Sequence, residues 1–365
     1  MQALRDWAIA NAPLVRAVGG LIVGMAFGAI TLGTNFCTMG ALSDLHSFGD
    51  WRRFRAWMLA IAVSIAGTQG LDAAGVVDLS KSMYLAPRLD WLGNVIGGLL
   101  FGFGMTFAGG CASRNLARAG SGDLRSLLVL VVLGISAYIA LFGLLGPVRD
   151  GLANLTSVTL ASLQADSQGI GRIGAALTGA SGVRLTQWAA GLIAILLAAF
   201  AFKDKAFRSS SVHALSGVGV GVCVAIGWAV TGLSFDEFAP EVRPISLTYV
   251  RPTGDTLDWI QRFTAGRMPN FGVATVFGAL LGAFLYAAAA GKLRVTTFAD
   301  KGDTLRNLFG AFLMGIGGVM ALGCTIGQAL TGVSTLALGS FITTGAIIAG
   351  GIIGLKTLER ILLAE

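Results

Sequence analysis

The sequence predicts an all-α polytopic membrane protein, a single membrane domain over residues 1–365. Three observations predict it: an apolar, charge-poor composition, about nine apolar runs of membrane-spanning length, and abundant glycine suited to close or broken helices. Hydrophobic residues make up 55% of the chain and charged residues 12%, against about 25% charged in a soluble domain. Mean hydropathy is +0.76. Glycine occurs 53 times, about twice its ordinary share, yet proline only 7 times, which excludes a collagen-like chain and a flexible linker.

The apolar runs lie near 14–36, 56–73, 91–110, 126–146, 186–202, 212–230, 271–290, 308–323 and 336–355. Those shorter than about 20 residues imply helices that break or re-enter within the bilayer. An odd number of spans places the two termini on opposite sides. With the N-terminus outside, the short inside segments hold 15 of the 26 Lys and Arg residues, including Arg52, Arg53, Arg55, Arg114, Arg118 and Arg125. The positive-inside rule therefore predicts a periplasmic N-terminus and a cytoplasmic C-terminus in a bacterial inner membrane. Segments 147–185 and 232–270 are then external. The second carries Pro240, Pro244, Pro252 and Pro269 and is expected to form a partly ordered cap.

The net charge of +7 is spread in small clusters between apolar runs, with no basic face for nucleic acid. The four cysteines form no Cys-x-x-Cys pair and the chain has only two histidines, so neither a disulfide framework nor a metal site is expected. No cofactor is implied. The N-terminus carries Arg5, Asp6 and Arg16, and no small-residue cleavage site cleanly follows the first apolar run, so no removable signal peptide is expected.

The most informative feature is a four-fold pattern. Gly28, Gly102 and Gly315 each stand nine residues before a cysteine, Cys37, Cys111 and Cys324. A fourth segment has Gly219 nine before Trp228. The local strings are TNFCTMGAL, AGGCASRNL, ALGCTIGQAL and AIGWAVTGL, each closing an apolar, glycine-rich run. Cys223 lies outside the pattern and reads as a buried packing residue. The runs leading to Cys37 and Cys111 point inward and those leading to Trp228 and Cys324 point outward. Two inverted halves, about 14–146 and 212–355, are therefore expected, joined by a helix near 186–202, with a substrate path at their interface.

The strings around Cys37, Cys111 and Cys324 resemble those of the YeeE/YedE family of sulfur-transport membrane proteins, the thiosulfate-uptake proteins. That resemblance implies an hourglass-like inverted-repeat fold and a narrow central thiosulfate path lined by the three cysteines. It also implies, for some members, a cytoplasmic TusA-like sulfur-carrier partner.

Neutral thiols suit such a substrate. An apolar setting favours the thiol over the thiolate, and a thiol is a weak, soft donor that can release what it holds. Three weak sites in series satisfy the requirement that an ion leave as well as enter. No Lys or Arg lies within the nine residues before any of the three cysteines. Helix N-termini starting after each cysteine would supply positive partial charge. The supporting candidates are Trp228 by its repeat position, Asn35 and Gln328 as amide donors, and Gly110 for close backbone approach. Thr325 is added at a helix cap and Arg114 at the exit.

A transporter or channel for thiosulfate is thus the first expectation. A transporter of another sulfur or selenium species is the alternative within that class. A thiol-dependent membrane sulfurtransferase is the alternative outside it, disfavoured because no histidine base or Cys-x-x-Cys motif accompanies the thiols. No phosphate-binding Walker motif is present.

Overall fold

The computed structural model of the chain describes residues 2–160, 165–237, 243–265 and 268–364. Pro240 lies outside the described residues. Within them the chain is helical almost throughout, with one short antiparallel pairing of β1 (Arg88–Leu89) and β2 (Val158–Thr159). Lipid offers no partner for backbone N–H and C=O groups, and a helix satisfies both internally.

After α1 (Gln2–Ala10), four units repeat one plan of long helix, break, short helix and long helix. The first unit holds α2 (Ala12–Thr34), α3 (Thr38–Ser43) with a π-helical turn over Asp44–Phe48, and α4 (Arg52–Ala73). The second holds α5 (Trp91–Phe107), α6 (Ala112–Gly120) and α7 (Leu124–Leu141). Next come the linking helices α8 (Gly146–Thr156), α9 (Ile170–Thr178), α10 (Gly182–Phe202) and α11 (Lys205–Arg208). The third unit holds α12 (Ser211–Leu233), α13 (Arg251–Gln261) and α14 (Phe271–Ala289). The fourth holds α15 (Lys301–Met320), a π-helical segment Thr325–Gly332, and α16 (Leu338–Ala364).

The units interleave. Helix α2 packs on α14 and α12, α5 on α16 and α15, α4 on α12 and α7 on α15, so unit one meets unit three and unit two meets unit four. Glycine sets these crossings. A Cβ on Gly24 of α2 would stand 2.9 Å from the Thr275 Cα of α14, and one on Gly102 of α5 would stand 2.8 Å from the Gly351 nitrogen of α16. Only glycine permits backbones this close, which is the usual device where lipid gives helices no hydrophobic reason to associate.

Eight helical stretches among the described residues are long and apolar enough to cross a membrane, and the chain is a multi-pass membrane protein. The ninth expected run, 56–73, is α4. It is 22 residues long, but Ser64, Thr68, Gln69 and Asp72 lower its hydropathy. Helix α10 presents Trp188, Leu192, Ile195 and Leu196 outward and is the least covered span, in keeping with a lipid-facing position between the halves.

The segment 232–270, expected to form a partly ordered external cap, packs into the protein at its middle. Leu247, Tyr249 and Val250 are fully buried, and Pro252, Thr253, Gly254 and Thr256 of α13 are buried too. Its polar residues and those facing it tie this irregular backbone to the rest of the protein. Thr231 Oγ1 donates to the Ile245 carbonyl at 2.6 Å, Ser246 Oγ to that of Val224 at 2.6 Å, and Thr331 Oγ1 to that of Leu247 at 2.7 Å.

Candidate functional site at three helix breaks

The three cysteines occupy one local geometry. Two residues before each stands a left-handed residue: Asn35 (φ 55°), Gly109 (φ 67°) and Leu322 (φ 57°). The residue between donates its N–H five positions back, Phe36 to Thr31, Gly110 to Met105 and Gly323 to Gly318, at 3.2, 2.9 and 2.8 Å. Each long helix therefore ends in the same Schellman-type cap. The cysteine then caps the next element. Cys37 Sγ accepts from the Gly40 N–H and Cys324 Sγ from the Gly327 N–H, both at 3.4 Å, as a serine or threonine oxygen would. Cys111 precedes α6 in extended backbone, and its Sγ lies 3.2 Å from Ser113 Oγ.

These breaks meet at one place. The thiols of Cys37 and Cys111 interact side chain to side chain, and Thr325 stands beside Cys111 with its hydroxyl unpartnered. Cys324 lies against the Tyr249 N–H. All three cysteines are buried. Gln328 is also buried, with its Nε2 donating to the Ala321 carbonyl and its Oε1 without a protein partner. Gly110 takes φ 150°, and its carbonyl accepts from Asn115 Nδ2 at 2.9 Å. Arg114, one turn into α6, donates from Nη2 to the Asn35 Oδ1 at 2.9 Å. Cys223 sits within α12, away from any break.

Trp228 differs from the cysteines. It lies inside α12 rather than at a break, fully buried, with Nε1 donating to Ser334 Oγ at 3.2 Å. The equivalent of the cysteine in the third unit, the residue capping the short helix, is Val250. Sequence reasoning missed this because α12 is followed by a long irregular excursion, which shifts the break away from Gly219. One signal was available: Pro252 next to Arg251 marks the start of a helix. It also missed Tyr249 and Tyr84, whose hydroxyls are buried without a protein partner close to Cys324.

On the side carrying residues 75–90 and 165–187, a cavity of about 630 Å³ opens to solvent. Lys81, Arg172 and Arg243 line it together with Asp72, Asp78 and Asp166, and Gln69, Ser82 and Thr335 are among the remaining lining residues. Ser82 and Tyr84 lead from there toward Trp228, whose ring meets Tyr84 edge-on at 6.3 Å. On the opposite side of the cysteines stand Arg53, paired with Asp44 at 3.2 Å, and Arg118, paired with Asp123 at 2.6 Å. Among the described residues, no three His, Cys, Asp or Glu side chains are placed to hold a metal ion.

Four units of helix, break and short helix, with small buried thiols at three breaks and a polar cavity on one side, define a multi-pass membrane protein with a transporter's plan. The Sulphur transport family matches residues 33–353, and the chain belongs to that family. It is 30% identical over 332 residues to the thiosulfate transporter TsuA of Spirochaeta thermophila, covering 91% of this chain and 96% of that one. It is 29% identical over 338 residues to the thiosulfate transporter TsuA of Escherichia coli, covering 86% of each. A shorter similarity, 33% over 121 residues, joins it to the probable transporter YedE of Salmonella typhimurium.

Proposed function

We propose that this protein takes up thiosulfate across a bacterial inner membrane, with its N-terminus periplasmic and its C-terminus cytoplasmic. The dianion enters from the 630 Å³ cavity and passes Cys324, Cys111 and Cys37 in that order. At each, a neutral thiol donates a weak S–H hydrogen bond. The observation that carries this reading is the junction of three cysteine-capped breaks, with Cys37 and Cys111 in side-chain contact. Two relatives similar over most of their length are thiosulfate transporters, which supports the choice of ion.

The capping geometry bears on the mechanism. In Cys37 and Cys324 the sulfur already accepts a backbone N–H, so its own proton is left to point elsewhere. A soft donor matches the terminal sulfur of thiosulfate, and the N–H groups of the first residues of the short helices offset part of the cost of desolvating its oxygens. Thr325 and Gln328 stand beside the path with an oxygen each unpaired. Moving two negative charges inward against 100 mV costs about 4–5 kcal/mol, which consumption of the ion on the inside would help to offset. A TusA-like sulfur-carrier protein at the cytoplasmic face fits that role.

The test is uptake of labelled thiosulfate into proteoliposomes holding the wild-type chain or its serine variants. Serine is a good N-cap, so Cys37→Ser, Cys111→Ser and Cys324→Ser should fold. Each is expected to lower uptake at least tenfold, while Cys223→Ser stays near wild type. Full uptake by the triple serine variant would show that hydroxyls suffice and sink the soft-donor mechanism. Appearance of a thiol-bound sulfur product without intact thiosulfate inside would favour a sulfurtransferase.

A further inference from the structure

Three arginines stand beyond the cysteines on the side opposite the cavity, and one is unlike the others. Arg53 is committed to Asp44, and Arg118 to Asp123 and to the Gly109 carbonyl at 3.2 Å. Arg114 has no carboxylate among the described residues. Its Nη2 is held by the neutral amide of Asn35 at 2.9 Å, and its Nη1 is buried with no protein partner. The bond spans the junction: Arg114 lies three residues after Cys111 and Asn35 two before Cys37. The local backbone is shaped for it. A Cβ on Gly110 would stand 2.9 Å from the Arg114 Cγ, so glycine leaves room for the stem. Asn35 holds its amide in place from a left-handed cap that asparagine and aspartate tolerate better than other side chains.

We propose that Arg114 and Asn35 form the release latch of the path. An ion leaving Cys37 displaces the Asn35 oxygen from the Arg114 guanidinium, is drawn past the last thiol, and is let go when Asn35 takes the guanidinium back. A charge-assisted, two-pronged contact to an oxyanion outcompetes an amide, so the exchange runs forward. The amide in turn stops the guanidinium from being an open anion trap, since conduction requires exit. A carboxylate at position 35 would hold Arg114 permanently. This inference rests on the uptake reading and names the residues that govern its last step.

The experiment compares wild type, Asn35→Asp, Arg114→Gln and the double variant as full chains in proteoliposomes. Labelled thiosulfate uptake is measured together with equilibrium thiosulfate binding to the purified proteins. Asn35→Asp should cut uptake at least tenfold while binding stays within twofold, because the thiol sites are untouched. Arg114→Gln should also cut uptake at least tenfold, and the double variant should be no worse than either single change. Undiminished uptake in Asn35→Asp, or parallel loss of its binding, overturns the latch alone. Failure of the wild type to take up thiosulfate overturns the uptake reading and the latch with it.

Discussion

The indole of Trp228 in α12 donates to the hydroxyl of Ser334, 106 residues further along the chain, at 3.2 Å. Ser334 passes its own proton to the Thr331 carbonyl at 2.7 Å, and its carbonyl accepts from Gln69 of α4 at 2.8 Å. One serine thus joins the first, third and fourth units beneath the cavity. The repeat position that singled out Trp228 marks a structural keystone, and Tyr249 with Val250 occupies the third break instead.

Trp228→Phe keeps an aromatic ring but loses the donated bond and the second ring of the indole, so it should cost about 1–3 kcal/mol. Trp228→Ala opens a large cavity in the buried core and should cost about 3–5 kcal/mol. Thermal unfolding in detergent separates the two. Equal losses in both variants would mean that the bond, not the packing, dominates.

The glycines of the repeat make a second pair of expectations. A Cβ on Gly28 would stand 2.8 Å from both the Cα and the carbonyl carbon of Ala279, and backbone cannot yield. Gly28→Ala should therefore push α2 and α14 apart and cost about 1–3 kcal/mol or more. At Gly219 the nearest atom is the Ile30 Cδ1 at 2.9 Å, the mobile end of a side chain. Gly219→Ala should be close to neutral, because better helix propensity offsets the small clash. A Gly219→Ala variant less stable than Gly28→Ala would contradict this account of the crossings.

The contrast explains what was legible in the sequence. The spans could be read because lipid demands apolar helices wherever the chain crosses. Three breaks could be read because the glycine nine residues before each cysteine is where another helix crosses: Gly28 at Ala279, Gly102 at Ile347, Gly315 at Leu133. Gly219 faces only a side chain, so the same offset carried no such meaning in the third unit. The burial around Leu247 and Val250 was invisible because single side chains, Thr231 at Ile245 and Thr331 at Leu247, satisfy that backbone without a period. Leu322 gave no sign of its left-handed backbone, since leucine rarely adopts it. The Arg114–Asn35 bond joins residues 79 apart, beyond any local pattern.

The last prediction concerns Asp123, in the turn between α6 and α7 and outside the spans. Its carboxylate caps α7 through the Arg125 N–H at 3.1 Å and pairs with Arg118 at 2.6 Å and Arg125 at 3.3 Å. Burial pushes its pKa up, but the two guanidiniums outweigh that and hold it below the usual carboxylate value. A folded-state pKa below the unfolded one means that the stabilisation is fully present above the ordinary value near 4, and is lost as pH falls through the depressed one. Asp123→Asn keeps the cap but not the charge, and should cost about 1–2 kcal/mol at pH 7. The gap in melting temperature between wild type and Asp123→Asn should be constant from pH 7 to about 5, then close as pH drops below about 4. High salt should shrink it only modestly, because the carboxylate is buried. A gap that persists unchanged at pH 3, or that instead closes on the alkaline side, would show that the two arginines do not set the charge of this turn.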